Sequence, residues 1–124
     1  MSLTTIDPVD LLEELLHIDS ANATMGGPGE QAMAERVATV LESIGCAVEL
    51  VAGAGPGRPN LIARVQGGGP GRTLVLCGHT DTVPLNAGDP GVGFAGTIEG
   101  GRLLGRGACD MKGGVAVALS LAAT

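Results

Sequence analysis

Two short stretches carry residue types able to do chemistry: "GHTDTVP" at residues 78–84 and "GRGACDMKGG" at residues 105–114. In an extended chain the side chains of residues i and i+2 share a face, so His79 and Asp81 project the same way. An imidazole there can bind a metal through one nitrogen while a carboxylate fixes the ring through the other. The plainer alternative is that both side chains cap a loop by bonding backbone amides. Asp110 stands in a Gly-flanked bend where backbone can approach a ligand closely, and the two oxygens of one carboxylate can bridge two cations. Asp110 could equally be the N-cap of the segment that follows, and Lys112 a solvated lysine.

These residues need elements to hold them. Residues 73–79, "TLVLCGH", are a near-continuous apolar run, the pattern of a strand buried on both faces. Such a strand, ending at His79, is expected to be central and parallel to at least one neighbour, because it has no polar face to give to water, and in open α/β sheets ligands gather at the C-terminal ends of strands. Upstream, Asp7 as N-cap, Pro8 at the first helical position and apolar Val9, Leu12, Leu15 and Leu16 predict a helix over roughly residues 8–17. Met33, Val37, Val40, Leu41 and Ile44 recur at helical spacing from Glu30, with Gly45 at the place of a left-handed C-cap. "CAVELVA" and "LIARVQ" read as strands separated by a Gly and Pro turn. A long Gly and Pro loop follows Pro84, and "GTIEGGRLLGRG" reads as a short hairpin turning at Glu99 to Gly101. The closing "VAVALSLAAT" is apolar almost all round, which suits a buried helix but leaves a strand open. It carries no stop signal, so the chain is expected to end inside an element. The whole reads as an α/β layer structure.

Composition narrows the function. The 124 residues are 44% apolar, enough for one modest domain at most. The formal net charge is −6, and the 7 basic residues never cluster, so the electrostatic footprint of a nucleic-acid binder is absent. Acidic residues interrupt every apolar stretch near the N-terminus, so neither a signal peptide nor a membrane span is expected and the protein reads as cytoplasmic. Three cysteines, Cys46, Cys77 and Cys109, are an odd number in no metal-clip spacing, and are expected to be free and mostly buried. His17, between Leu16 and Ile18, is expected to be a half-buried structural histidine.

Taken together, "LCGHTDTVP" and "GRGACDMKGG" resemble the M20 family of metal-dependent peptidases and deacylases, of the deacetylase, desuccinylase and carboxypeptidase types. The resemblance runs over essentially the whole chain. It implies the N-terminal half of a three-layer α/β/α zinc-peptidase-like catalytic domain spanning residues 1–124, with the lid domain and the rest of the catalytic half lying outside the sequence. By the same resemblance His79 is a metal ligand, Asp110 bridges two zinc ions, Asp81 orients His79 and counts as a catalytic residue, and the Asp110–Met111 peptide is cis. Two zinc ions are implied, with cobalt or manganese as alternatives suited to the same ligand types. The implied chemistry is hydrolysis of amide bonds in N-acyl amino acids or short peptides. A small-molecule substrate, neither nucleic acid nor membrane, and a homodimer of the complete protein are the implied partners.

The general-base glutamate and the remaining ligands of that pattern have no counterpart here. Glu99 falls in the hairpin and His17 on the first helix. The enzyme reading therefore treats the sequence as part of a longer polypeptide, inactive alone. The competing reading is a non-catalytic remnant or interaction module that keeps the first half of the fold.

Overall fold

The computed structural model describes residues 5–89 and 93–124. Helix α1, Pro8–Leu16, begins where its cap dictates: Asp7 Oδ1 accepts from the N–H groups of Val9 at 2.8 Å and Asp10 at 3.1 Å. Helix α2, Gln31–Ser43, closes on Gly45, whose φ of +87° is a conformation that suits glycine. Helix α3, Gly113–Ala122, settles the closing apolar segment as a helix.

The three helices make one core. Leu11 and Leu15 of α1, Met33, Val37, Val40 and Leu41 of α2, and Ala116 and Leu119 of α3 pack together with Cys46. Ser120 Oγ ties α3 to the chain entering α1 by donating to Ile6 O at 2.7 Å. Strands β1, Ala47–Val51, and β2, Asn60–Arg64, pair antiparallel with Ala47 opposite Arg64 and Val51 opposite Asn60. Val48, Leu61 and Ala63 turn one face of this ribbon onto the core; β2 shows the period-two pattern of a half-buried sheet, while β1 breaks it at Leu50, which is exposed. Strands β3, Thr97–Glu99, and β4, Arg102–Leu104, form the expected hairpin. Its turn takes Gly100 at φ +56° and Gly101 at φ +75°, two positive values that a two-residue hairpin turn of the favoured hand requires.

Three expectations are corrected. No strand forms over residues 73–79: the segment is unpaired, and Leu74, Val75 and Leu76 are 80%, 77% and 48% exposed. An apolar strand is stable only with partners at its edges and cover on its faces. Among the described residues β2 bonds β1 alone, and no other strand lies against the segment. The described residues are thus helices and two small antiparallel sheets, and their one parallel contact is a bridge between Ala21 and Thr82. The cysteines are free, but only Cys46 is buried. Cys77 and Cys109 are exposed because each sits in a segment that the core does not cover. His17 is exposed, not half-buried: it follows α1 on the solvent side, with Nδ1 2.8 Å from Glu13 O.

Candidate metal centre

The segment leaving α1 gathers the site. Thr82 N–H donates to Ser20 O at 3.0 Å and Asn22 N–H donates to Thr82 O at 2.9 Å, which lays residues 79–82 beside residues 20–22. Asp110 lies in a π-type turn, Ala108–Lys112, entered through Gly107 at φ +84°. The Lys112 N–H closes that turn onto Gly107 O at 2.9 Å. The Asp110–Met111 peptide is cis, as the resemblance implies. Met111 turns back towards the first motif, where its Sδ accepts from the His79 N–H at 3.4 Å.

His79, Asp81 and Asp110 therefore meet although 31 residues separate the first from the last. His79 Nδ1 faces two acceptors of Asp81, the backbone O at 3.1 Å and carboxylate Oδ1 at 3.1 Å. Its Nε2 faces Asp110 Oδ1 at 2.9 Å. Acceptors beside Nδ1 keep the ring proton there, so in the neutral ring Nε2 presents a lone pair to a carboxylate oxygen. Two acceptors at that separation are mutually repulsive unless a cation lies between them, either a proton on the ring or a metal ion. Asp110, with 87% of its side chain exposed, keeps its carboxylate open to a second partner. These residues fit a divalent cation as a nitrogen and an oxygen ligand with an ordered carboxylate behind the histidine. Among the described residues no group of three or more His, Cys, Asp or Glu side chains converges as a metal site, so the donor set here is partial.

Electrostatics follow the geometry. Burial works to lower the His79 pKa, but the Asp110 hydrogen bond, the Asp81 carbonyl and the charges of both carboxylates outweigh it and raise the value above that of ordinary histidine. Asp81 is held below the usual carboxylate range, first by the hydrogen bond from Asn22 and then, against some desolvation, by the charge of His79. The Asn22 Nδ2 to Asp81 Oδ2 distance is 2.8 Å.

Lys112 is not solvated. It is 2% exposed, and its Nζ donates to Leu15 O at 3.0 Å and Ile18 O at 2.7 Å, at the carbonyl end of α1. Carbonyls with spare acceptor capacity and the negative end of the helix dipole favour a cation at that place. The Phe94 ring adds a face 5.5 Å from the ammonium. Burial nonetheless lowers its pKa from 10.5 to about 8. The lysine two residues beyond Asp110 thus nails the turn that carries Asp110 to α1. Neither Lys112 nor Asn22 was assigned this work from the sequence, since a lone lysine or asparagine carries no mark of a partner many residues away.

Beside these residues opens a cleft of about 430 Å³, lined by His79, Asp81, Met111, Val37, Val115 and Arg58 among others. Arg58 Nε donates to both carboxylate oxygens of buried Glu30, at 3.1 and 3.3 Å, so its charge is already matched.

Residues 75–124 match peptidase family M20/M25/M40. Three proteins named succinyl-diaminopimelate desuccinylase are similar over most of the chain. The one from Methylobacterium sp. (strain 4-46) is 43% identical over 120 residues, covering 91% of this chain and 28% of the relative. That from Gluconobacter oxydans (strain 621H) is 46% identical over 112 residues, covering 89% and 28%. That from Rhizorhabdus wittichii is 41% identical over 121 residues, covering 95% and 30%. The chain thus spans under a third of the length of these relatives.

Proposed function

The chain belongs to peptidase family M20/M25/M40, and from that membership we propose that it is the N-terminal part of the catalytic domain of a metal-dependent hydrolase cleaving the amide bond of N-acyl amino acids or short peptides. The observation that carries the reading is the pairing of His79 Nε2 with Asp110 Oδ1 at 2.9 Å while Asp81 occupies the other ring nitrogen. In this reading His79 and Asp110 would hold divalent ions, zinc in the first place, Asp110 would serve as the shared carboxylate, and Asp81 would orient His79. Cobalt and manganese suit the same nitrogen and carboxylate donors. Bound ions of this kind supply Lewis acidity at the scissile carbonyl and a more acidic water.

This chain's own residues bind and orient. Asp81 keeps the His79 proton on Nδ1 and the lone pair of Nε2 towards Asp110. The turn closed by Lys112 N–H and anchored by its ammonium holds Asp110 opposite. Proton transfer to the leaving amine, and the remaining ligands, are assigned to residues outside these 124. The complete three-layer α/β/α arrangement belongs to the same proposal, with residues 73–79 as a strand that gains its neighbours there. The names of the relatives make an N-succinyl amino acid the first substrate class to try. Among the described residues no helix is long and apolar enough to cross a membrane, and a cytoplasmic protein with free thiols is the setting this reading adopts.

The test uses the full-length polypeptide: metal content after purification, and amine release from a panel of N-succinyl and N-acetyl amino acids and dipeptides. The expected result is metal-dependent turnover that His79→Ala and Asp110→Ala abolish together with metal content. Turnover unaffected by chelation, or by either substitution, would overturn the proposal.

A further inference from the structure

Asn22 lies 59 residues from Asp81 in sequence, yet its amide nitrogen donates to Asp81 Oδ2 at 2.8 Å. The amide cannot be turned round. Its Oδ1 accepts from the Thr24 N–H at 2.9 Å and the Thr24 hydroxyl at 2.7 Å, and a backbone N–H can only donate. Thr24 therefore fixes the oxygen on its own side and presents the NH₂ group to Asp81. The backbone of Asn22 is equally committed: its N–H donates to Thr82 O at 2.9 Å, and its carbonyl accepts from Met25 at 3.0 Å and Gly27 at 3.1 Å.

With Oδ2 held by Asn22, the Asp81 carboxylate has one oxygen left for His79, and Oδ1 stands 3.1 Å from Nδ1. The donor is neutral. It orients the carboxylate without cancelling its charge, whereas Lys or Arg at that place would compete with the imidazole for it.

We propose that Asn22 is a positioning residue of the metal centre: through Asp81 it selects the His79 tautomer protonated at Nδ1 and leaves Nε2 free to ligate. The proposal rests on the metal-centre reading above, and it concerns a residue outside both motifs.

Asn22→Ser is the discriminating substitution: a serine hydroxyl still caps Thr24, so the local turn survives, but it is too short to reach Asp81. Asn22→Asp is the second variant; it also keeps an oxygen for Thr24, but it replaces the donor by a carboxylate facing Asp81, so its effect adds like-charge repulsion to the lost hydrogen bond. The first readout is the His79 tautomer by ¹⁵N NMR, in the metal-free full-length polypeptide carrying Asp110→Ala, which removes the competing acceptor at Nε2, and at a pH where the ring is neutral. With Asn22 in place the proton should be on Nδ1, and either variant should show a mixture with Nε2–H. The second, with Asp110 intact, is zinc affinity by competition titration, which should fall roughly tenfold, the lower end of the effect of losing an outer partner of a ligand. An unchanged tautomer and unchanged affinity in a folded variant would overturn the role of Asn22. His79→Ala separates the two claims: zinc binding that survives it removes the metal reading, while the tautomer measurement, which needs no metal, still decides what Asn22 does.

Discussion

Gly107 presses its bare Cα against Thr82, so closely that a Cβ at residue 107 would stand 2.6 Å from Thr82 Cγ2 and 3.3 Å from the Lys112 stem. This contact joins the two motifs. Thr82 closes the stretch that carries His79 and Asp81, and Gly107 opens the turn that carries Asp110. Gly107→Ala meets two penalties, the crowding and a φ of +84° that disfavours a side chain. It should lower stability by roughly 2 kcal/mol or more, seen as an earlier urea midpoint with an unchanged slope. A midpoint equal to wild type would mean that the two motifs do not touch here.

Lys112 gives a second prediction. Lys112→Met keeps much of the volume but takes the ammonium away from Ile18 O, just past α1, and from Leu15 O, which then keeps only the Ile18 N–H at 3.3 Å. Buried acceptors stripped of a charged partner cost on the order of 1–3 kcal/mol, so thermal unfolding should move down by several degrees in the full-length protein. Metal affinity should fall with it, because the Asp110 turn loses its tie to α1. Lys112→Arg should not rescue, since a larger planar guanidinium has no room at a side chain 2% exposed. Full stability in Lys112→Met would show that these two bonds contribute nothing net.

The ion pair between Arg36 of α2 and Glu14 of α1 predicts a pH dependence. The Arg36 hydrogen bond holds the Glu14 carboxyl below its ordinary value of 4.5, against partial desolvation. Because the folded value is the lower one, the stabilisation is complete above about pH 4.5 and is lost as pH falls through the folded value. Both side chains are substantially solvated, so Arg36→Gln should cost only about 0.5 kcal/mol at pH 7. The wild type and variant unfolding curves should converge in acid, and a gap that widens as pH falls would contradict the assignment.

For Asp81, the expected outcome in the full-length enzyme is separation of function from folding. Asp81→Asn retains a side chain able to accept from Asn22 or His79, so the fold should persist, while metal affinity or activity falls roughly 10 to 100-fold. Wild-type kinetics and metal content in that variant would remove Asp81 from the site.

How much of this was readable in sequence depends on how local the cause is. The start of α1 at Pro8 follows from Asp7 and the proline beside it, and the β3–β4 turn from two adjacent glycines. His79 and Asp81 could be placed together because strand geometry repeats every two residues. The link from His79 to Asp110 came through family resemblance, not spacing, and the structure brings the two side chains into contact. Asn22 and Lys112 stayed hidden because their partners are Asp81 and the last carbonyls of α1, set by tertiary packing. Residues 73–79 show the opposite failure. Their apolar pattern is strand-like, but pairing is a property of neighbours, and the described residues supply none.

That exposed segment decides what the 124 residues should do alone. Leu74 and Val75 stand in solvent, and β2 leaves one edge unpaired, the two features that invite edge-to-edge association. The chain by itself should therefore self-associate or aggregate at micromolar concentration. Its metal site should be weak for a separate reason. A catalytic zinc ordinarily takes three protein ligands, and a pair sharing one bridge needs more, whereas His79 and Asp110 supply two, with Asp81 turned towards the ring and Asn22. Calorimetric titration of the purified 124-residue chain with zinc, run beside amine-release assays on N-succinyl and N-acetyl amino acids, should show no submicromolar binding of two ions and no turnover above blank. Tight binding of two ions, or turnover, would mean that residues within this chain complete the centre and that the ligand count drawn from His79 and Asp110 is too small.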